Sequence, residues 1–534
     1  MYVHTPSQSL ILKVRDPLYI RELLPQESRT VSLPDGHNIQ LKWTLDSAKL
    51  LRNIGIQAPS PITGFYRFPR PPHYDLPDDQ VAMAGFQTLN DKCFNLSEPG
   101  TGKTAATCWA ADFLMETGAI KRALVLCPLT SMKLTWAHDL FEILPHRTCT
   151  IVHGDMDRRL KNLNRKVDFY IMNHDGIDLE KLAIEIRKRP DIGLIVVDEA
   201  DVLCNSATDV YRFLKWIMER KTRLWLLTGT PTPNAPTDAW ALSKLINPAL
   251  APPFFGRFKD ETMQQVSTHR WVPKAGSDQR AFEIMQPAIR LMKDRSKLPP
   301  FNGPHDIVTT LSQEQKDALK QMRDEMTMFA KRTQITAVNG ADKLTKLRQI
   351  LAGSVKDPTT GQYHHLDCAD RVRDLRRVMG RAQGKRLVIA PFKGIVQHLM
   401  AELPKPDTQA GLPGYRVLML NGDVPAAKRP GIVEQFKTDP TVDGLLCHPK
   451  VMSHGLNLTE ADMTIFYAPI NSNRQYLQVI ERFFRRGQKF PMWLLRMVAH
   501  PIEASIYKVV DNRGTMQRNI LDLYDEFITG SDEL

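Results

Sequence analysis

The sequence lacks long apolar runs and a secretory signal. Of its 534 residues, 42% are hydrophobic and 24% are charged, and no stretch approaches the roughly 18 consecutive apolar residues that a membrane span needs. The first residues, MYVHTPSQSLILKVRD, contain no basic start, long apolar segment or small-residue cleavage site. We therefore expect no membrane partner and a cytoplasmic location, associated with the nucleoid in a bacterium or in the host cytoplasm if the protein is viral.

The sequence also has few cysteines and no internal repeat. Its seven cysteines stand singly, without a CxxC pair. This spacing argues against a disulfide framework and against a zinc site. No period of solenoid length is visible either, so we expect separate domains whose cysteines are ordinary thiols.

Basic residues outnumber acidic ones. Lysine and arginine total 71 against 59 aspartate and glutamate residues, which gives a formal net charge of +12. Such an excess favours a polyanionic partner, and nucleic acid is the first candidate. Because many proteins are mildly basic without a functional reason, the charge needs support from sequence motifs.

Short apolar runs recur in two blocks, which indicates an α/β protein with two sheets. A chain of this length exceeds what one hydrophobic core usually organises. Runs of four to six mostly apolar residues, each followed by a polar loop, are typical of buried parallel strands. The runs of the first block are 123–127, 169–172, 194–197 and 224–227, and those of the second are 386–389, 415–420, 444–447, 463–467 and 493–498. We predict two doubly wound, parallel-sheet lobes.

These blocks and the segments around them predict five parts of the chain. They are an N-terminal accessory module with a proline-rich linker at 1–72, a first lobe at 73–248, a helical insertion and linker at 249–366, a second lobe at 367–515 and a C-terminal tail at 516–534. The first part has strand-like runs at 10–14 and 39–43 and a helix-like run at 47–54. The third contains a long helical stretch at 312–351 with charges at helical spacing.

The motif SEPGTGKT predicts a phosphate-binding loop between a strand and a helix. Small residues let backbone N–H groups converge on phosphate oxygens, and the following helix N-terminus adds positive potential. Lys103 would reach the β- and γ-phosphates and Thr104 would hold Mg²⁺, although a chance glycine turn before a helix is the alternative. Ser97 stands where the pattern usually has its first glycine. The loop comprises Ser97, Glu98, Pro99, Gly100, Thr101, Gly102, Lys103 and Thr104.

The motif LIVVDEAD at 194–201 predicts a strand that ends in two acidic residues. At the end of a strand Asp198 can support the Mg²⁺ shell, while Glu199 can orient and deprotonate an attacking water. Acidic strand ends are usually only solvated. Their position downstream of a phosphate loop favours a catalytic pair.

With both motifs in place, the chain resembles the superfamily-two helicases and, within them, the Swi/Snf-like DNA translocases in a compact bacterial or viral form. The resemblance covers about 75–510 and implies two RecA-like lobes. DLPDDQ at 75–80 resembles the adenine-reading Q motif, which implies that Gln80 contacts the base. LVLCPLTSMKLTW at 124–136 and MNHDG at 172–176 resemble motifs that touch the DNA backbone.

A third motif distinguishes this chain from the RNA helicases that are named after the letters DEAD, which stand here at 198–201. Those enzymes carry a short Ser-Ala-Thr coupling motif, whereas GTPTPN at 229–234 is similar to the coupling motif of the Swi/Snf-like group. The resemblance therefore assigns coupling roles to Thr228, Gly229 and Thr230.

The second block carries the remaining motifs. Segments 388–398, 420–423 and 453–459 are similar to motifs of the second lobe, although His454 replaces a usual glycine. QVIERFFRRGQ at 478–488 resembles the final motif, in which Gln478 would take part in coupling. Arg482 and Arg485 lie three residues apart on one helical face, which suits them to stabilise charge on the γ-phosphate. A solvated helix face or a salt bridge is the alternative reading, favoured for Arg486.

Other basic and aromatic residues carry weaker signals. The basic run at 371–386 is more typical of a solvated face than of a DNA contact. Trp225 and Trp240 lie in apolar surroundings and are expected in the core.

The resemblance implies an ATPase that uses ATP and Mg²⁺, is stimulated by nucleic acid and moves along duplex DNA without sequence specificity, in repair, replication or recombination. Two alternatives stay open: a strand-separating helicase acting on single-stranded DNA or RNA, and a non-catalytic DNA-binding protein. Protein partners, the direction of movement, oligomeric state and the role of the N-terminal module are not indicated.

Overall fold

The structure is a computed structural model that describes residues 1–72, 74–129, 131–174, 179–219, 223–267, 270–293, 296, 298–332, 337–357, 360–425, 428–452, 458–470, 472–484, 487–508 and 510–511. These residues divide into two compact units, one formed by residues up to 293 (unit 1) and the other by residues from 296 onwards (unit 2). Among the described residues, no helix combines the length and the apolar character needed to cross a membrane.

Unit 1 begins with a small antiparallel sheet. Its strands are β1 (Tyr2–His4), β2 (Ser9–Leu12), β3 (Ser28–Thr30) and β4 (Ile39–Lys42), in the order β1-β2-β4-β3. The accompanying helices are α1 (Pro17–Leu23), α2 (Leu45–Asn53) and α3 (Ile62–Phe65). Leu10, Ile39, Leu41 and Trp43 form its apolar core. The predicted strand runs at 10–14 and 39–43 and the helix at 47–54 are confirmed as β2, β4 and α2.

The main sheet of unit 1, called sheet 1, has seven parallel strands. They are β5 (Lys92–Asn95), β6 (Arg122–Cys127), β7 (Cys149–Val152), β8 (Phe169–Asn173), β9 (Ile192–Asp198), β10 (Arg223–Leu227) and, after the hairpin β11 (Met263–Ser267) and β12 (Arg270–Pro273), β13 (Ala288–Ile289). Their spatial order is β13-β5-β10-β9-β6-β8-β7. All four predicted strands of the first block are therefore present.

Helices connect these strands and cover the sheet. They are α4 (Asp78–Leu89), α5 (Lys103–Glu116), α6 (His138–Ile143), α7 (Met156–Leu163), α8 (Leu179–Arg187), α9 (Asp209–Met218), α10 (Ala239–Ile246), α11 (Phe255–Thr262) and α12 (Ser277–Ile284). Alternate strand residues belong to two different core clusters: Ile195 and Val197 to one, Leu194 and Val196 to the other. Because successive strand residues point to opposite faces, both faces of sheet 1 are buried.

The main sheet of unit 2, called sheet 2, has six parallel strands. They are β14 (Phe301–Val308) and, after the hairpin β15 (Ser354–Lys356) and β16 (Tyr363–His365), β17 (Lys385–Ile389), β18 (Val417–Leu420), β19 (Gly444–Cys447), β20 (Ala461–Phe466) and β21 (Met492–Val498). Their order is β14-β21-β20-β17-β19-β18. The five predicted strands of the second block are all present, and the predicted fold class of two RecA-like lobes is confirmed.

The helices of unit 2 include the predicted insertion. They are α13 (Gln313–Arg332), α14 (Ala337–Ala352), α15 (Ala369–Met379), α16 (Lys393–Glu402), α17 (Arg429–Thr438), α18 (Pro449–Met452) and α19 (Asn473–Phe483). The segment 249–366 contains more than the expected helices, because β13 pairs with β5 in sheet 1 and β14 pairs with β21 in sheet 2. It thus also supplies an edge strand to each sheet. The limits of the five predicted parts stay predictions.

Two arginines of the basic run at 371–386 have structural roles. The Arg371 side chain is fully buried and forms an ion pair with Glu503 at 2.9 Å. Arg376 is also buried, and it donates to the backbone carbonyls of Glu402 and Lys405 at 2.6 and 2.8 Å. These two arginines are therefore neither a solvated face nor a surface for DNA. The expectation for the tryptophans holds, since Trp225 is fully buried and Trp240 packs partly buried against the core.

Candidate functional site

Three adjacent strands of sheet 1 end side by side. In the register of the sheet, Leu227 of β10 lies opposite Asn95 of β5 on one side and opposite Asp198 of β9 on the other. Because the carboxyl ends of parallel strands meet at one edge, the loops that follow these strands lie together there. In open α/β sheets this edge is the usual position for ligands. The phosphate loop, the acidic pair and the coupling motif each begin at one of these three ends.

The loop at 97–104 has the backbone that a phosphate site requires. Gly100 and Gly102 have φ values of 82° and 90°, in the left-handed region that favours glycine. A Cβ atom on Gly102 would lie 2.0 Å from Nε2 of Gln80, so only glycine fits there. α5 begins directly afterwards at Lys103, and its first N–H groups and helix dipole attract anions.

Hydrogen bonds made by the loop explain why Ser97 stands where the usual pattern has its first glycine. The Ser97 hydroxyl oxygen accepts a hydrogen bond from the backbone N–H of Leu291 at 3.0 Å, and the Glu98 N–H donates to the Leu291 carbonyl at 3.0 Å. The serine therefore joins the loop to the segment that follows β13, which a glycine could not do. The Lys103 ammonium donates to the Ser97 carbonyl at 2.5 Å, which holds the lysine over the loop.

Gln80 lies against this loop, in the first turn of α4, and is buried. Its Nε2 donates to the Thr101 carbonyl at 3.2 Å, and its Oε1 accepts from the Tyr74 hydroxyl at 2.9 Å. A carboxamide has two N–H donors and two acceptor lone pairs, so each end keeps one for a ligand. A donor beside an acceptor matches the N7 and N6 edge of adenine. The contribution of Tyr74 was not predicted, and no spacing rule relates it to Gln80.

The carboxylate of Asp198 is held through both oxygens. Oδ2 accepts from the indole N–H of Trp136 at 2.9 Å, and Oδ1 accepts from the backbone N–H of Glu199 at 3.1 Å. Burial, with the neighbouring charge of Glu199, raises the pKa of Asp198 to about 6, although the Trp136 hydrogen bond and the positive charge of Lys103 oppose the shift. Trp136 was not predicted as a site residue.

Glu199 has an unusual backbone conformation at this strand end. Its φ of 51° lies in the left-handed region, which costs a non-glycine residue on the order of 1–3 kcal/mol and occurs often at functional sites. The turn starts the short helix Ala200–Leu203 directly after β9.

The coupling motif packs against the phosphate loop. The Thr228 N–H donates to the Asn95 carbonyl at 3.1 Å, and the Thr230 N–H donates to the Thr228 hydroxyl at 3.0 Å. A Cβ atom on Gly229 would lie 2.6 Å from the Pro99 ring. This close approach places 228–230 in direct contact with the loop, so a displacement of the loop would also displace the coupling motif.

Two predicted residues of unit 2 share helix α19. Gln478 is buried, and neither its amide nitrogen nor its amide oxygen has a hydrogen-bond partner among the described residues. Arg482 is 8% exposed, and its Nε donates to the Met452 carbonyl at 3.2 Å, so it is not a solvated side chain. Arg485 and 453–457 lie outside the described residues, and their predicted roles stay predictions.

The residues on unit 1 fit a nucleotide that carries a magnesium ion. The glycine backbone of the loop, the Lys103 ammonium and the start of α5 suit phosphate oxygens. The Thr104 hydroxyl and the Asp198 carboxylate are oxygen donors of the type that Mg²⁺ prefers. Since the pKa of Asp198 is raised, a cation beside it would relieve the cost of its partly desolvated charge.

Residues 87–356, just over half of the chain, match the SNF2-related domain. The chain belongs to the SNF2-related family. Residues 370–487 of this SNF2-related chain match the helicase conserved C-terminal domain, so the predicted Swi/Snf-like resemblance is confirmed. The family is one of helicase-like ATPases that use ATP, typically with Mg²⁺.

Relatives of this SNF2-related protein differ widely in length. It is 24% identical to the TATA-binding protein-associated factor mot1 of Aspergillus fumigatus over 79% of its own length, but it spans only 24% of that relative. It is 23% identical to putative protein p41 of Acyrthosiphon pisum secondary endosymbiont phage 1, over 79% of this chain and 92% of p41. The solved Sulfolobus solfataricus SWI2/SNF2 ATPase core in complex with dsDNA matches 86% of this chain and 96% of its own at 18% identity and a TM-score of 0.39.

The Gly102 position predicts a sharp mutational effect. In Gly102→Ala the new Cβ displaces Gln80 or the loop, and we expect nucleotide affinity to fall at least about tenfold, or roughly 1.4 kcal/mol. Gly118→Ala is the matched control, because Gly118 also has a positive φ, of 73°, but nothing lies within 4 Å of its Cβ position. Titration of a fluorescent ADP analogue measures both variants, and equal affinities would contradict the assignment of the loop.

Asp198 predicts a pH-dependent stability difference. Its folded-state pKa of about 6 exceeds its unfolded value, so the folded wild type loses stability as pH rises from about 4 to 6 and a partly buried group is forced to ionise. The free energy of unfolding of Asp198→Asn relative to wild type should therefore increase by up to about 3 kcal/mol between pH 4 and 7.5 without nucleotide.

Urea unfolding followed by tryptophan fluorescence measures this difference, with Asp191→Asn as control. Hydrogen bonds from Arg189 and Arg122 lower the pKa of Asp191, so its contribution is lost only below about pH 4 and the control should show a constant difference above it. If the difference in unfolding free energy between Asp198→Asn and the wild type did not change with pH, this carboxylate would not be destabilised by burial.

Proposed function

We propose that this protein is an ATP-dependent motor that moves along duplex DNA without reading its sequence. The observation that carries the proposal is the meeting of the phosphate loop, the acidic pair and the coupling motif at adjacent strand ends of sheet 1. Membership of the SNF2-related family supports it. The match of 370–487 to a helicase C-terminal domain supports the presence of the second lobe that a motor of this type uses.

Each site residue of unit 1 would have its own role in ATP binding or hydrolysis. Gln80 would contact the base, Lys103 the β- and γ-phosphates, and Thr104 and Asp198 the Mg²⁺ ion. Glu199 would orient the attacking water and accept its proton. When bound, ATP supplies the phosphoryl group that is transferred to water, and Mg²⁺ neutralises charge on its oxygens.

Residues of unit 2 complete this assignment through the resemblance of their motif. Arg482 and Arg485 would stabilise charge on the γ-phosphate, and Gln478 would belong to the coupling machinery. In α19 the buried amide of Gln478 has no hydrogen-bond partner among the described residues. A buried amide without partners is costly, which supports a role for Gln478 in contacts formed only during the ATP cycle.

The coupling of ATP hydrolysis to movement would begin in unit 1. Because Gly229 packs against Pro99 and Thr228 bonds to the end of β5, a change at the phosphates can displace the coupling motif. Closure and reopening of a two-lobed ATPase in each cycle can then move its DNA contacts stepwise along a strand.

Duplex DNA is the proposed track, for two reasons. The net charge of +12 favours a polyanion, since neutralised phosphates supply most of the affinity in sequence-independent binding. Segments 124–136 and 172–176 resemble motifs that contact the DNA backbone, which positions a protein without carrying sequence information. The place of the protein in repair, replication or recombination also stays a proposal.

Steady-state ATP hydrolysis tests the proposal directly. We expect turnover to be stimulated at least about tenfold by duplex DNA relative to no nucleic acid, and less by single-stranded DNA or duplex RNA. Glu199→Gln, which keeps the size of the side chain but removes the base, should lower turnover by about 100-fold or more.

Other outcomes of this experiment favour the alternatives. Stimulation only by single strands or RNA would favour a strand-separating helicase. DNA binding without turnover in the wild type would favour a non-catalytic DNA-binding protein.

A further inference from the structure

We propose that Trp136 is a positioning residue that fixes the Mg²⁺-binding carboxylate of Asp198 and links it to the exposed side chain of Lys133, which lies in the same turn. This inference rests on the proposed function, because it assigns Asp198 to the Mg²⁺ shell. It adds a residue that lies 62 positions away in sequence from the carboxylate it orients.

The contact itself has the geometry of an orienting hydrogen bond. The Trp136 ring is fully buried in a core cluster of unit 1, and its indole N–H donates to Asp198 Oδ2 at 2.9 Å. An indole N–H can only donate, so it cannot exchange roles with a neighbour. With Oδ1 held by the backbone N–H of Glu199, the carboxylate has one fixed orientation, and its remaining lone pairs are directed before any cation arrives. Partners of this kind tune metal ligands from outside the coordination shell.

The backbone around Trp136 is also unusual. Met132–Ala137 form a π-helical turn that runs directly into α6. Such turns are rare, insert an extra residue into a helix and occur often at functional sites. In an ordinary helix each residue is rotated by about 100° from the previous one, so the extra residue changes the direction in which Trp136 points. The π turn therefore explains how the Trp136 indole reaches Asp198, the last residue of β9.

The same turn presents Lys133 to solvent at the edge of sheet 1. It follows β6, whose Leu126 pairs with Val197 of β9, so the segment starts beside the strand that ends in Asp198. Leu129 is 41% exposed and Lys133 is exposed, whereas Trp136, three residues after Lys133, is fully buried. A phosphate bound at Lys133 and a cation bound at Asp198 would thus act on the same turn, the first through its exposed side chain and the second through Trp136.

Trp136→Phe tests this role, with Trp225→Phe as a matched control. Trp225 is fully buried in the same core cluster, but its indole N–H donates to the Asn90 carbonyl at 3.0 Å, before the start of β5. The measurement is the affinity of the full chain for a fluorescent ADP analogue, once with Mg²⁺ and once with EDTA. We expect the Mg²⁺ concentration for half-maximal binding to rise about tenfold or more in Trp136→Phe, with little change in Trp225→Phe.

A merely structural role would lower affinity equally with Mg²⁺ and with EDTA, and an unchanged Mg²⁺ requirement in Trp136→Phe would overturn the proposal. Should the phenylalanine variant not fold, Trp136→Tyr also lacks the indole N–H, fills more of the space and gives the same comparison.

Adding duplex DNA separates this inference from the proposed function. If the turn links the two sites, DNA should lower the Mg²⁺ requirement of the wild type by a factor that is lost in Trp136→Phe, because such coupling is reciprocal. A Mg²⁺ defect in Trp136→Phe together with no effect of DNA on the Mg²⁺ requirement of the wild type would support the positioning of Asp198 but overturn its link to Lys133. Failure of the proposed function would instead appear as wild-type ATP turnover that duplex DNA does not stimulate.

Discussion

The candidate site depends on one partly buried negative charge, the carboxylate of Asp198. Removing a carboxylate from water is costly unless hydrogen bonds or a cation compensate. Here Trp136 and the Glu199 backbone donate to its two oxygens, yet the pKa stays raised to about 6 because burial and the charge of Glu199 outweigh them and Lys103. The carboxylate is therefore already oriented, but its negative charge is only partly compensated. A divalent cation bound in this state would gain the most favourable interaction with it.

The parallel sheet determines what can surround this charge. Asn95, Leu227 and Asp198 are neighbours in register, so three loops that are far apart in sequence share one edge. The fit is close enough that a side chain on Gly102 or Gly229 would collide with Gln80 or Pro99. Tight packing of this kind transmits small displacements, and it supports a coupling of phosphate chemistry to motion.

Much of this arrangement could be predicted from sequence because it follows from local patterns. Apolar runs of four to six residues mark the interior strands, and glycine spacing marks the phosphate loop. The contributions of Tyr74, Trp136 and Leu291 could not be predicted, since each arises from a contact between residues that no spacing rule relates. The edge strand β13 has only two residues and β14 includes Pro304, so neither shows the apolar run of an interior strand. The burial of Arg371 was missed because its partner, Glu503, lies 132 residues away.

The measurement that tests the central claim most directly is displacement of a third strand from a DNA triplex whose duplex extends beyond it. A motor that tracks along duplex DNA should release the third strand in an ATP-dependent manner and leave the duplex paired, whereas Glu199→Gln should release none. Hydrolysis of ATP stimulated by the duplex without release of the third strand would contradict movement along DNA.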